Sequence, residues 1–560
     1  MRMSWTRSKL LCLVIMSFVW GPIIGSDTLG FVSPVDHQIR LTGNFMELRT
    51  NHFHAGIDIK SSKGVAGDNV KSVHDGYISR IKVQTGGYGN VIYIDHPNGY
   101  TSVYAHLHEF TSEVQDFVQE VQYTTKAFEV DIYLPDSIFV VTQNASIGKM
   151  GNTGRSFGPH LHFELRETAD ELPVNPESMG IGPTDKIAPV LESLHLHSIS
   201  SVGEITDKTI RYFKTKAPEY SMHESTIKVD AHRVGLGLQM YDRMDGSWNK
   251  NGVYGYQVKV DNKVAFSWKA DKFSFDETRY INGFWDYERQ WSHGQKVYLL
   301  YKQSCNSFSY YNSSGDGILD LSDGIARRVE IIVTDLHRNR SKVLFNIVGK
   351  ADSVAESSLR CDTLIELSNG PFEVAFHENA FFSPYDVKIQ ASKKNILGKE
   401  CNAVTIGDSN TSVNGYFTIS CPIPEGDPEK WTMVSQDSRG RNIHFGGDTI
   451  DGQFVAKVDQ LGTFALYKDK KAPTIQKISL DPRSNKPWKF KVKDDLIDDG
   501  QTDEISYVAS LNGQWLRMNY DKKNDLLSFS DFERLVSRKG TFLLEVWDHC
   551  GNKASYLKQI

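Results

Sequence analysis

Short apolar runs broken by glycine turns dominate the first third of the chain, and apolar positions there recur every second residue. Gly76-Tyr-Ile-Ser-Arg-Ile-Lys-Val83 and Val91-Ile-Tyr-Ile-Asp95 flank Gly86-Gly-Tyr-Gly-Asn90, a pattern that predicts antiparallel strands joined by a tight turn. Gly158-Pro-His-Leu-His-Phe-Glu-Leu165 alternates in the same way and predicts another strand. Helical periodicity is weak throughout and is best over Ser112 to Val121.

After Pro183 the text changes to longer strand-and-loop sequence rich in Tyr, Phe, Trp and Ser. An internal repeat runs through it. Asp185-Lys-Ile-Ala-Pro-Val-Leu191 resembles Asp469-Lys-Lys-Ala-Pro-Thr-Ile475, and each opens a stretch that closes on a strand, an Asp and a nearby Asn. The closing segments are Val333-Thr-Asp-Leu-His-Arg-Asn339 and Val546-Trp-Asp-His-Cys-Gly-Asn552, with a looser copy at Val434 to Asn442. The physical reading is a β-sandwich used about three times, each closing with an Asx-type turn. The chain therefore reads as mainly β. Its predicted divisions are a leader over 1–26, a β-sheet domain over 27–183, β-sandwiches over 184–350 and 351–469, and a C-terminal immunoglobulin-like domain over 470–560.

The leader sets the compartment. Arg2, Arg7 and Lys9 precede an apolar run from Leu10 to Trp20, then Gly21-Pro22 and the small pair Gly25-Ser26. This is the layout of a secretory signal peptide. The run is shorter than the ~20 residues that span a bilayer; an uncleaved anchor reaching Ile24 is the alternative. No later stretch is apolar enough to cross. The expected location is outside the cytoplasm, in the periplasm or cell envelope, or secreted. Five Cys remain after the leader, an odd number for an oxidising compartment, with Cys401 and Cys421 one candidate pair.

Composition adds exclusions. The 560 residues carry 63 basic and 69 acidic side chains, a formal charge of -6, which argues against nucleic acid as a partner. Gly154-Arg-Ser-Phe-Gly158 fits the serine-hydrolase string, but Pro159 and a strand follow it where a helix is needed. Asp316, Asp320 and Asp323 loosely resemble a calcium loop, but their spacing lacks its alternation and a closing Glu, so a turn is the better reading.

Most of the 18 His need no role; those in the first domain are different. His54 and Asp58 stand four apart around Gly56. A straight strand would hold them ~13 Å apart, so both can share one ion only if the chain bends. His160 and His162 share a strand face, ~6.6 Å apart, so that one can ligate an ion while the other faces substrate. His106, in Tyr104-Ala-His-Leu-His108, ends another strand. Two His and one carboxylate with further His in reserve is the stoichiometry of a catalytic zinc site with an open fourth position, and it favours zinc over the all-oxygen shells of calcium or magnesium. His52 is expected to give structural support, His108 to face solvent, and His96 to sit in a turn.

Taken in order, Asn51-His-Phe-His-Ala-Gly-Ile-Asp58, Gly89-Asn90, Tyr104-Ala-His-Leu107, Gly151-Asn-Thr-Gly154 and Gly158-Pro-His-Leu-His-Phe-Glu164 resemble the lysostaphin and LytM-like zinc endopeptidases of bacteria, over roughly residues 30 to 180. The resemblance implies one zinc held by His54, Asp58 and His162, catalysis by His106 and His160, and cleavage of stem or cross-bridge peptides of peptidoglycan. Two alternatives stand beside it: a non-catalytic scaffold that binds wall or regulates an amidase, and a zinc peptidase acting on protein. Peptidoglycan peptides are the expected partner, with the C-terminal β domains a surface for cell-envelope proteins. The sequence departs from the family at Gly67-Asp-Asn-Val70 and in the long stretch Glu109 to Ser146, expected to be an inserted hairpin flanking the cleft.

Overall fold

In the computed structural model, residues 30–560 are described except 314, 352–360, 425, 438 and 499–504, so the expected leader lies outside the described residues. The first domain is built on a large, mostly antiparallel sheet. Its central strands run, in spatial order, Leu41–Gly43, Ile57–Lys60, His160–Glu167, Tyr100–Ala105, Asn90–Asp95, Gly76–Val83 and Val130–Tyr133. A small sheet of Asn69–Lys71, Ser146–Met150 and Leu107–Phe110 closes one side. Between them Ile57, Ile59, Ile81, Leu107, Leu161 and Phe163 form a fully buried apolar core.

The Glu109 to Ser146 stretch is not a simple hairpin. It forms a helix, Ser112–Thr125, whose buried Val114, Val118 and Gln122 recur every four residues, then the edge strand Val130–Tyr133 paired with Gly76–Val83. That edge is the far side of the sheet from Ile57–Lys60. The helix is held instead by the C-terminal sandwich: Tyr123 donates to Asp531 at 3.0 Å, Arg517 to Gln122 at 3.2 Å, and Arg534 pairs with Glu120 at 3.1 Å. Lys523 of the same sandwich donates to the Asn152 carbonyl at 2.7 Å.

The rest of the chain is three stacks of paired sheets, so the protein is mainly β with sandwich-type domains, as the pattern predicts. Val190–Ile199 and Arg233–Tyr241 centre one sheet of the second unit, and Arg327–Thr334 and Arg340–Val348 the other. Two features cross the divisions read from sequence. Phe45, Met46, Leu48, Phe53 and Ala55 pack in the apolar core of the second unit, not of the first. Ile497–Asp498 extends the sheet of the third unit by pairing with Asn442–His444.

The Asx turns of the repeat are present. Asp335 accepts from Asn339 N at 2.8 Å and Asp548 from Asn552 N at 2.8 Å, while in the looser copy Asp437 accepts from Arg441 N at 2.9 Å. Asp316, Asp320 and Asp323 each accept from the backbone amide two residues on, as plain turns. The disulfide joins Cys305 to Cys361; Cys401, Cys421 and Cys550 are free and buried. The expected Cys401–Cys421 pairing fails because Cys401 stands on Lys399–Ile406 in one sheet and Cys421 on Phe417–Pro422 in the other, packed in separate apolar clusters. No described helix is long and apolar enough to cross a membrane.

Candidate metal centre

His54 precedes the strand Ile57–Lys60 and Asp58 lies within it, so the segment turns into the sheet instead of running straight. Gly56 is required here by proximity: a Cβ on it would stand 2.2 Å from the Phe163 carbonyl of the neighbouring strand. The register then sets Asp58 beside His162, and His162 beside Ala105, one residue before His106. His106 itself has φ 60°, leaving the strand direction to turn its ring back over the sheet.

All five predicted residues meet. His54 Nε2, His162 Nδ1 and Asp58 Oδ1 lie 2.9 to 3.1 Å from one another. The His106 ring stands 4.8 Å from that of His160 and 5.9 Å from that of His162, and His160 Nε2 is 3.4 Å from Asp58 Oδ1.

The hydrogen bonds outside the trio fix which atoms face inward. His54 Nδ1 is 2.8 Å from the Asn44 carbonyl, which can only accept, so the proton of a neutral His54 sits on Nδ1 and the Nε2 lone pair points into the trio. His162 Nε2 is 2.7 Å from the Glu164 carboxylate, which leaves its Nδ1 lone pair pointing inward. With His162 neutral, three acceptors thus converge, and a cation among them takes the place of the proton that His162 Nδ1 otherwise holds against Asp58. Their spacing agrees with the ~3.3 Å separation expected between ligand atoms of a tetrahedral zinc with bonds of ~2.0 Å. The donor set, two imidazole nitrogens and one carboxylate oxygen, suits zinc.

Electrostatics supports the same division. Burial pushes His54 down to about 4 and, with the neighbouring His162 and His160, pushes His106 down to about 3, so both rings are neutral near pH 7. Burial opposes charge on His162 too, but hydrogen bonds to Asp58 and Glu164 outweigh it and lift the group to about 9 before any metal competes for Nδ1. Burial acts against ionised Asp58, yet the surrounding His54, His160 and His162 hold its carboxyl well below the usual range.

Sequence reading missed the residues that support this trio. Glu164, fully buried, accepts from His162, from the Tyr88 hydroxyl and from Arg166 Nε at 2.8 Å. The signal was there: His160, His162, Glu164 and Arg166 are two apart on one strand and share its face. Arg49 donates to Asp58 Oδ2, which leaves Oδ1 to the trio. Asn44 and Arg49 carried no local signal. Of the other His, His52 is exposed and bonds Thr50 O, while His96 is buried between Asp75 O and Ser102 Oγ, a structural role. Ser156 Oγ is turned to Gly158 O at 3.0 Å, in a loop before a strand, which removes the serine-hydrolase reading.

Near the open side of the trio, His106 Nδ1 bonds Thr153 O at 2.9 Å and His160 Nδ1 bonds Gly158 O at 2.8 Å. Both acceptors are carbonyls, so a neutral ring at either position carries its proton on Nδ1 and keeps its lone pair on Nε2, that of His160 standing 3.4 Å from Asp58 Oδ1. The site therefore offers a metal position with two bases beside it.

Residues 52–127 and 139–176 match the sequence model of peptidase family M23. A DD-carboxypeptidase/endopeptidase, Mpg, of Neisseria meningitidis is 36% identical over 140 residues, which is 25% of this chain and 25% of that protein. An uncharacterized metalloprotease of Haemophilus influenzae is 28% identical over 138 residues, 24% of each. The chain thus aligns with about a quarter of the length of the curated relatives it matches. Among solved structures, a zinc containing peptidase from Vibrio cholerae is 25% identical with a TM-score of 0.20, covering 28% of this chain and 41% of that one. The catalytic domain of lysostaphin from Staphylococcus simulans is 21% identical with a TM-score of 0.17, covering 25% and 90%.

Proposed function

With its first domain a LytM-like member of peptidase family M23, we propose that this chain is an exported zinc endopeptidase that hydrolyses peptide bonds in the stem or cross-link peptides of peptidoglycan. The observation that carries the reading is the convergence of three acceptor atoms, His54 Nε2, Asp58 Oδ1 and His162 Nδ1, with two further imidazoles at their side. Degenerate members of the family that the chain resembles typically lose one or more of these positions; this chain keeps all five, which favours an enzyme over a scaffold.

Zinc, when bound, supplies Lewis acidity for the scissile carbonyl and the attacking water. The protein's own groups do the proton work. A water molecule beside His160 or His106 loses its proton to a free Nε2 as its oxygen bonds to the carbonyl carbon. The resulting imidazolium, still held at Nδ1 by Gly158 O or Thr153 O, hydrogen-bonds the oxyanion and then returns the proton to the departing amine nitrogen. The products are a carboxylate and a free amine. Glu164 and Arg49 hold His162 and Asp58 in the orientation that this geometry needs.

The test is digestion of purified peptidoglycan by the full mature chain with and without a zinc chelator. New amino termini within the wall peptides, lost on chelation and restored by zinc, support the proposal. A fully zinc-loaded chain that cuts neither wall peptides nor protein overturns it, and one that cuts only protein replaces the substrate.

A further inference from the structure

A second group of ligand-type side chains lies far from the His trio in sequence, at the junction of the first two domains. Asp185, in the connection between them, brings a ligand oxygen within 4.8 Å of one from Asp335 and of a ring nitrogen of His337. Two atoms across a calcium ion with bonds of ~2.4 Å stand about that far apart. Asp242 and Glu177 complete the cluster: both line the same cavity as Asp335 and His337, and the charges of Asp185 and Asp335 act on both. The cavity is about 10 Å³, room for one water-sized sphere.

Four carboxylates here have no Lys or Arg ion pair among the described residues. Three are more than nine-tenths buried, Asp185 at 6%, Asp335 at 4% and Asp242 at 2% exposure, and two of these keep one carboxylate oxygen with no hydrogen-bond partner, Asp185 Oδ2 and Asp242 Oδ1. Asp185 Oδ1 accepts from Ile187 N and Asp245 N at 3.1 Å, and Asp335 is held by Asn339. Asn251, opposite Asp242 across a β-bridge, has both its side-chain oxygen and its amide nitrogen buried and unpartnered as well. Buried anionic oxygens without partners are costly unless a cation satisfies them. Burial beside like charges otherwise pushes Asp242 up to about 9 and Glu177 up to about 8, the state of a cluster left to protonate itself.

The arrangement recurs. In the C-terminal sandwich Asp469, Asp494 and Asp548 gather in the same way; Asp469 Oδ1 accepts from Lys471 N as Asp185 does from Ile187 N, and Asp548 is held by Asn552 as Asp335 is by Asn339. Asp469 Oδ2 is again buried and unpartnered. In the middle copy Asp437 is half-buried and forms an ion pair with Arg441 at 2.7 Å, so there an arginine supplies the positive charge. The two copies with unpaired acids are the two that open with Asp-Lys-X-Ala-Pro.

We propose that Asp185, Asp242, Asp335 and Glu177 form a calcium site that ties the peptidase domain to the adjoining sandwich. The oxygen-dominated donor set selects a hard cation, and four flexible carboxylates suit calcium better than the small octahedral shell of magnesium. The position gives the ion a consequence. Asn44 lines the same cavity, its side chain bonds Gly252 of the sandwich, and its carbonyl orients His54. Calcium here braces the junction on which the His trio rests.

The test uses the full chain, stripped of loosely bound ions and reloaded with zinc, dialysed against about 1 mM calcium, within the range typical of extracellular modules. The expected result is calcium uptake with a rise in melting temperature that equal magnesium does not give. Asp242→Asn loses one equivalent of that calcium and Glu177→Gln weakens it at least ~10-fold, whereas Asp494→Asn leaves this equivalent in place. Glu177→Gln reads the site should Asp242→Asn fail to fold. No calcium uptake, or uptake unchanged in the variants, overturns the proposal; an Asp242→Asn chain that is more stable than the parent and indifferent to calcium identifies the cluster as self-protonated acids.

Discussion

His54 donates its Nδ1 proton to the Asn44 carbonyl at 2.8 Å, and Asn44 is clamped by two hydrogen bonds to Gly252, its Nδ2 to Gly252 O at 2.8 Å and Gly252 N to its Oδ1 at 2.9 Å. A member of the candidate metal trio in the first domain is thereby oriented from the second. The apolar packing says the same, since Phe45, Leu48 and Phe53, which bracket His54, are buried in the core of the sandwich and Phe53 N bonds Thr278 Oγ1 at 3.0 Å.

The second unit is therefore part of the site. Residues 27–183 expressed alone should expose that apolar bracket and lose tight zinc binding. In the full chain Phe53→Ala should cost about 3–5 kcal/mol of stability, read by denaturant melts. Asn44→Ala leaves Gly252 unpartnered and should weaken zinc by about 10-fold, read by competition with a chromogenic chelator. Wild-type zinc affinity in the isolated 27–183 fragment would remove this role of the sandwich.

Ligand and base separate by mutation. His162→Ala should abolish zinc binding, while His106→Ala should keep full zinc and slow turnover by ~10²–10⁴-fold, the usual contribution of a positioned acid or base. Metal content and peptide hydrolysis measured on the same preparations decide it. Full activity in His106→Ala would take that residue out of the chemistry.

Glu164 carries a pH signature in the metal-free chain. Burial acts against its charge, but Arg166 and the bonds from His162 and Tyr88 hold it at about 2, below its ordinary value of 4.5. Because the folded value is the lower one, the unfolded chain takes up the proton first as pH falls. The contribution is whole above about pH 4.5 and declines as pH drops toward about 2. Glu164→Gln should lose stability at neutral pH, leaving Arg166 buried beside an uncharged amide, and should flatten the slope of stability between those limits. A variant with an unchanged slope would assign the acid sensitivity elsewhere.

The thiols give a chemical check on the fold. The unfolded, leader-free chain should titrate three free thiols without reductant, from Cys401, Cys421 and Cys550, and five after reduction. Cys305 and Cys361 are 56 residues apart, so closing that loop contributes up to ~4 kcal/mol in the chain-entropy account. Thiol mapping that finds Cys401 joined to Cys421 would contradict the arrangement of their two sheets.

What could be read from sequence follows the range of the interactions. The strands Gly76–Val83 and His160–Glu167 were legible because their period-two alternation is local, and the His54, Asp58, His106, His160 and His162 set because chemistry concentrates in short motifs. Glu164 was within reach, two residues beyond His162 on the same face, but strand alternation alone does not say which face meets the site. Asn44 and Arg49 were not legible, since their roles come from contacts with Gly252 and Asp58 that only the assembled fold creates. The insertion was misjudged because Val114, Val118 and Gln122 are a sparse apolar stripe, and its helix is completed by Arg517, Asp531 and Arg534, some 400 residues later. The Cys401–Cys421 expectation failed for the same reason, as sheet membership is a property of topology.

The central claim is that His54, Asp58 and His162 turn three lone pairs on one zinc and leave a position open beside His106 and His160. X-ray absorption at the zinc edge of the loaded full chain measures this directly. The account predicts a shell of about four light atoms at ~2.0 Å with the outer scattering of two imidazoles, falling to one imidazole in His54→Ala. A sulfur scatterer at ~2.3 Å, or a shell unchanged by His54→Ala, would contradict it.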